Sequence, residues 1–286
     1  LFRSQVRGKE NLLNRGIMLI RQYRYLLKTL VIRNTDAVSA LYNINAFRGT
    51  PFASGGSGGT LYVPQALIAS SIMSKKLAVS TNAILLDVKV GKGAFMKNVE
   101  DAASLAKLMC SIGKYNGRIM RAELSDMNQP LGTMVGNSLE VKEAVAMLKG
   151  EPVAQDLYEH CISSCAQLLQ MASKVKTVEE GEVMAEEALR SGRAYEKLKE
   201  MISAQGGDVS YLDHPEKFPE APFVETCTAP ESGYIAAIDA QEVGETGVEL
   251  GGGRHRKTDL IDHRVGIEIH HKVGDLVEED EPLFTI

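Results

Sequence analysis

The run Ala83–Val90 (AILLDVKV) constrains the fold of this chain more than any other stretch. It is short, apolar and rich in β formers, which is consistent with a buried parallel strand covered on both faces. The sequence after it keeps that rhythm. Lys97 to Ile112 carries Val99, Ala102, Leu105, Ala106 and Met109 at helical spacing, with Gly113 as its expected stop. Arg118 to Leu124 reads as the next strand. Asn137 opens a helix in which Glu140 completes a capping box, and Gly150 ends it. Strand–helix–strand–helix order predicts an α/β fold with a mostly parallel sheet and right-handed crossovers.

Upstream, Pro64 suits the first turn of a helix running to Ala78. Downstream, helices are expected from Val153 to Ala172 and from Thr177, with Glu180 three residues on, through a break at Gly192 to Ala204. Pro215, Pro219, Pro222 and Pro230 mark an exposed connection. After it come short β segments at Tyr234–Ile238, Gly247–Leu250, Val265–His270 and Pro282–Ile286. Their turns resemble biotinyl- and lipoyl-type domains in architecture alone, because no Lys stands in the hairpin setting that those domains modify. The expected organisation is a basic segment with a Gly/Ser linker (1–60), one helix of a small helical lobe (61–78), an α/β lobe (79–215) and a C-terminal α+β domain with barrel-sandwich-like β segments (216–286).

The net charge of -5 gives no general electrostatic reason to bind nucleic acid or an anionic membrane. Charge is uneven, however: residues 1–60 hold nine Lys/Arg against two Asp/Glu. Ala53–Gly59 (ASGGSGG) has the composition of a flexible linker, a simpler account than a phosphate loop because no Lys-Ser/Thr pair follows it. Ile17–Ile32 is interrupted by Arg21, Arg24 and Lys28, and no apolar run reaches the roughly 20 residues of a membrane span. Leu1 begins the chain without a signal-peptide cleavage pattern, which reads as a trimmed start. Cys110, Cys161, Cys165 and Cys227 match no zinc spacing and are expected as reduced thiols, in keeping with a cytoplasmic protein.

Four groups could carry chemistry. Ser71 and Lys75 lie at i, i+4 on one helical face, able to hold a carbonyl-bearing ring, although a solvated Ser and Lys is the simpler account of the spacing alone. Asp87, Lys89 and the glycine loop up to Phe95 follow the carboxyl end of the buried strand, where α/β sheets bind ligands. There Asp87 and Lys89 could equally pair with neighbouring elements, and Phe95 could be a ring-stacking wall or a core residue, core being the simpler account. Glu143 lies past the first turn of its helix, where the carbonyls of the preceding turn could complete an oxygen cage for a weakly bound cation. His255, His263, His270 and His271 lack a ligand spacing and read as surface histidines.

Five stretches in register, IASSIMSKKLA (Ile68–Ala78), LLDVKVGKGAFM (Leu85–Met96), SDMNQPLG (Ser125–Gly132), GNSLEVKEA (Gly136–Ala144) and LGGGR (Leu250–Arg254), resemble the pyrimidine-nucleoside phosphorylases, including thymidine phosphorylases. The resemblance runs from about residue 64 to the end. It implies reversible phosphorolysis of uridine or thymidine to free base and a pentose 1-phosphate, in nucleoside salvage, by a cytoplasmic homodimer with phosphate as co-substrate. It further implies that Ser71, Lys75 and Phe95 contact the base, and that a potassium ion is held by the carbonyls of Leu131 and Met134 and the carboxylate of Glu143. These are expected as binding positions, and none of them as a catalytic residue.

Two features depart from the family pattern. The family's Lys-His-Ser-Thr-Gly-Gly phosphate stretch has no counterpart, and the position of its base-binding Arg, fifteen residues before Ser71, is Gly56. Residues 1–60 carry no likeness to the family. Two alternatives follow from these departures: a base-binding fragment impaired in turnover, and a scaffold whose basic N-terminal segment meets an acidic partner.

Overall fold

The computed structural model describes residues 65–79 and 81–286, so the expectations for residues 1–60 and for Pro64 lie outside the described residues. Helix α1 (Gln65–Ala78) precedes strand β1 (Ala83–Val90), helix α2 (Val99–Tyr115) and strand β2 (Ile119–Asp126). β1 and β2 pair in parallel, with Asp87 opposite Glu123 and Lys89 opposite Ser125. The strand alternation sorts the core. Ile84, Leu86 and Val88 face α1 and α2, meeting Ala69, Met73, Ala102, Leu105, Ala106 and Met109. Ala83 and Leu85 face the other way, onto Leu168 and Met171. β1 is thus covered on both faces, as its composition demands.

Strand β3 (Met134–Gly136) and helices α3 (Asn137–Lys149), α4 (Gln155–Met171), α5 (Val178–Arg190), α6 (Arg193–Ala204) and α7 (Ser210–Asp213) follow. They enclose a second core around Val141, Leu148, Leu157, Leu198, Ile202 and Leu212. The α5 start behaves as read from sequence: the Thr177 hydroxyl accepts from Glu180 N–H and the Glu180 carboxylate reaches back, a complete capping box.

The C-terminal part is built of short antiparallel strands: β4 (Thr226–Thr228), β5 (Gly233–Tyr234), β6 (Gly266–Ile269), β7 (Leu276–Val277) and β8 (Pro282–Thr285), with helix α8 (Ala240–Gly247) between β5 and β6. One sheet has the order β3-β6-β8-β4, so a strand from the α/β part joins the C-terminal sheet; β5 and β7 form a separate pair. The α/β class therefore holds, with an antiparallel C-terminal part.

Four local expectations are corrected. Gly113 does not stop α2; it is buried inside the helix, packed where Met120 passes, and the helix ends at Asn116. Val99 is exposed, not part of the apolar stripe. Asn137 is not a capping residue: Gly136 holds that place, Glu140 Oε1 accepts from Gly136 N–H, and Asn137 Nδ2 donates instead to Gly252 O at 3.1 Å. Gly247–Leu250 is helical, because the Asp239 carboxylate caps α8 through Gln241 and Glu242 N–H and the chain then runs into a π turn over Val248–Gly252.

Candidate functional site

Helix α1 is seated by Ala69 and Met73, both fully buried against β1 and α2. Its N-terminal end is tied to α2, since Gln65 Nε2 donates to Asp101 O and Ser104 Oγ donates to Gln65 Oε1. On the same helix the structure brings Ser71 and Lys75 together, with Lys75 Nζ donating to Ser71 Oγ at 3.2 Å and both residues half-buried. The neighbouring Lys76 has its pKa lowered by burial.

At the carboxyl end of β1 the chain turns through Gly91–Met96. Gly91 N–H donates to Met96 O, Gly93 N–H to Met127 O, and Lys92 N–H to Asn128 Oδ1, so this loop is laced to the turn after β2. Phe95 stands on it and is 57% exposed, which overturns the expectation of a core residue. The backbone bonds of the loop hold the ring at the strand end where an α/β sheet receives ligands.

The third group is the turn Pro130–Met134 and the helix after it. Glu143, buried on α3, accepts from both Thr133 N–H (2.7 Å) and Thr133 Oγ (3.0 Å). That anchors the carboxylate to the turn carrying the Leu131 and Met134 carbonyls. The donor set is carbonyl and carboxylate oxygen, which suits a hard cation and not a soft one.

Sequence reasoning missed the group on the other side of this turn. Lys272 Nζ donates to Pro130 O and to Gly132 O (2.9 Å), and pairs with Asp156 Oδ2 at 2.9 Å. Asp156 in turn accepts from Gly132 N–H. Ile269 N–H donates to Thr133 O and Val273 N–H to Gln129 Oε1, so the C-terminal segment grips the turn along its length. A Lys in a C-terminal turn has no sequence signal for a partner 142 residues away.

Also missed was the role of His160. Asp87, Glu123 and His160 each offer an oxygen or nitrogen within 4.8 Å of the others, a geometry that resembles a metal site. The carboxylates are already engaged. Asp87 receives Ser125 Oγ, the Lys89 ammonium at 2.9 Å and His160 Nε2 at 3.3 Å; Glu123 receives Ser164 Oγ at 2.6 Å and Gln167 Nε2 at 2.7 Å. The expected pairing of Asp87 and Lys89 thus belongs to a larger half-buried network that joins sheet and helix. His263 and His270 serve the C-terminal part: the His263 carbonyl accepts from Ser138, and His270 contacts Thr285 Oγ at 2.8 Å. None of the four cysteines is in a disulfide, and burial, with Cys161 and Glu123 nearby, pushes the Cys165 thiol up to about 12.

The parallel β–α part belongs to a recognisable class of domain: residues 61–195 match the glycosyl transferase family a/b domain. Residues 234–286 match the pyrimidine nucleoside phosphorylase C-terminal domain. The chain is 49% identical over 220 residues to a pyrimidine-nucleoside phosphorylase of Bacillus subtilis and 48% identical to one of Staphylococcus aureus. Each alignment takes in 77% of this chain and 51% of the relative. Over these residues the chain is similar to the pyrimidine-nucleoside phosphorylases, and it spans about half the length of the curated relatives it matches.

Proposed function

We propose that this chain carries the base-binding part of a pyrimidine-nucleoside phosphorylase. The observation that carries this reading is the Lys75–Ser71 pair, held at 3.2 Å on a helix whose buried face is locked against β1. In phosphorolysis a phosphate oxygen attacks the anomeric carbon, the carbon–nitrogen bond breaks, and its electron pair passes to the pyrimidine. Lys75 lies ready to offset the charge that develops on the base, a contribution made in the transition state. Ser71 orients the ring by hydrogen bonding, and the exposed Phe95 supplies a face against which it stacks. Leu131, Met134 and Glu143 are the residues that would hold a potassium ion, which would supply a fixed positive charge beside the site. A homodimer working in cytoplasmic nucleoside salvage completes this reading; among the described residues no helix is long and apolar enough to cross a membrane.

A second reading is favoured by the chain spanning half of its relatives: base binding without turnover. One assay separates the two. The first reading expects uracil or thymine to be released from uridine or thymidine only when phosphate is added, and Lys75→Ala to lower kcat/KM by about 100-fold or more. Calorimetric binding of the free base without release, lost in Lys75→Ala, would establish the second. Neither release nor binding overturns both.

A further inference from the structure

The Lys272 clamp reaches the turn Pro130–Met134 from the opposite end of the chain. Its ammonium takes the carbonyls of Pro130 and Gly132, the two residues flanking Leu131, and skips Leu131 itself. Asp156 neutralises it at 2.9 Å, so the clamp adds no net charge beside Glu143. Lys272 is itself fixed, because its N–H donates to Asp275 Oδ2 at 2.7 Å and its carbonyl accepts from Asp275 N–H at 3.1 Å, closing a tight turn. The Lys272 side chain is only 19% exposed. From the other side Glu143 holds Thr133. The turn is thus clamped at 130, 132 and 133, and the carbonyl of Leu131 is presented between fixed neighbours.

We infer that Lys272 is a positioning residue for the cation site: it sets the carbonyl geometry that Leu131 and Met134 offer beside Glu143, without itself touching the ion. The inference rests on the reading of Leu131, Met134 and Glu143 as potassium ligands. Groups that orient metal ligands through hydrogen bonds act on affinity, so the effect belongs in the half-saturating potassium concentration.

The test is thermal melting of the full 286-residue chain in increasing KCl, with choline chloride holding ionic strength constant. The unaltered chain is expected to melt higher as potassium rises, and Glu143→Gln to abolish that rise. Lys272→Met combined with Asp156→Asn, which removes the ammonium without stranding its counter-charge, is expected to raise the half-saturating KCl about ten-fold while a rise at saturation persists. Lys272→Arg, which can still bridge two carbonyls, is expected to restore most of the affinity. A lower melting temperature with unchanged half-saturating KCl would make the clamp structural only and overturn the inference. A melt of the unaltered chain indifferent to potassium overturns the cation site itself and this role with it.

Discussion

Ser164 has no exposed surface, and its hydroxyl donates to Glu123 Oε1 at 2.6 Å. Gln167 donates to the other oxygen of the same carboxylate, and both donors lie on the α4 face that also presents His160 to Asp87. A half-buried carboxylate loses part of its hydration and depends on such hydrogen bonds in its place. Ser164→Ala is therefore expected to cost about 1.5–3 kcal/mol, the range for a hydrogen bond to a charged group, read as a lower urea midpoint at unchanged slope. An unchanged midpoint would show that Glu123 finds another donor. The Ser71–Lys75 contact is of a different kind. It joins two half-buried groups, and its worth lies in what approaches from solvent, so substitutions there are expected to change ligand affinity more than stability.

Helices α4 and α5 approach closely at Gly181. A Cβ placed on Gly181 would come within 2.7 Å of Ala166 O and 2.8 Å of Ala166 Cα. Both contacts are to backbone, so they cannot be relieved by a rotamer change. Gly181→Val is expected to force the helices apart and destabilise by roughly 1–3 kcal/mol or more, the usual penalty of overpacking, seen as a fall in melting temperature. Gly181→Ala with no measurable loss would refute the close approach. The same paragraph of chain shows how strongly a cap can set an element: the Thr177–Glu180 box starts α5 where the sequence places it.

Across the molecule the α/β part and the C-terminal part share one sheet through β3 and β6. Gly136 and Gly266 face each other in that pairing, Gly136 at φ +146. A Cβ on Gly266 would stand 2.5 Å from Val135 O. Gly266→Val is expected to separate β6 from β3, and with it to loosen the Ile269–Thr133 and Lys272–Gly132 bonds on the next residues. Limited proteolysis should then cut between the two parts in the variant and spare the unaltered chain; equal resistance would mean that the junction is held elsewhere.

Much of this was written in local residue order. The apolar Ala83–Val90 reads as a covered strand, the Thr177 box begins a helix, and Ser71 and Lys75 share a helical face, because each depends on neighbours a few residues away. Even so, local signals misled where a tertiary partner outbid them. Asn137 gives up capping to reach Gly252, and Gly113 continues a helix because Met120 packs over it. The turn Pro130–Met134 shows the division most clearly. Its carbonyls and the carboxylate of Glu143 are local features of the sequence, while the clamp of Lys272 and Asp156 exists only after the C-terminal strands fold back across more than a hundred residues. An ion pair between such distant residues leaves no periodicity or spacing to read. Sequence determined the elements and the residue types that line the site; tertiary packing alone decided which of them are held still.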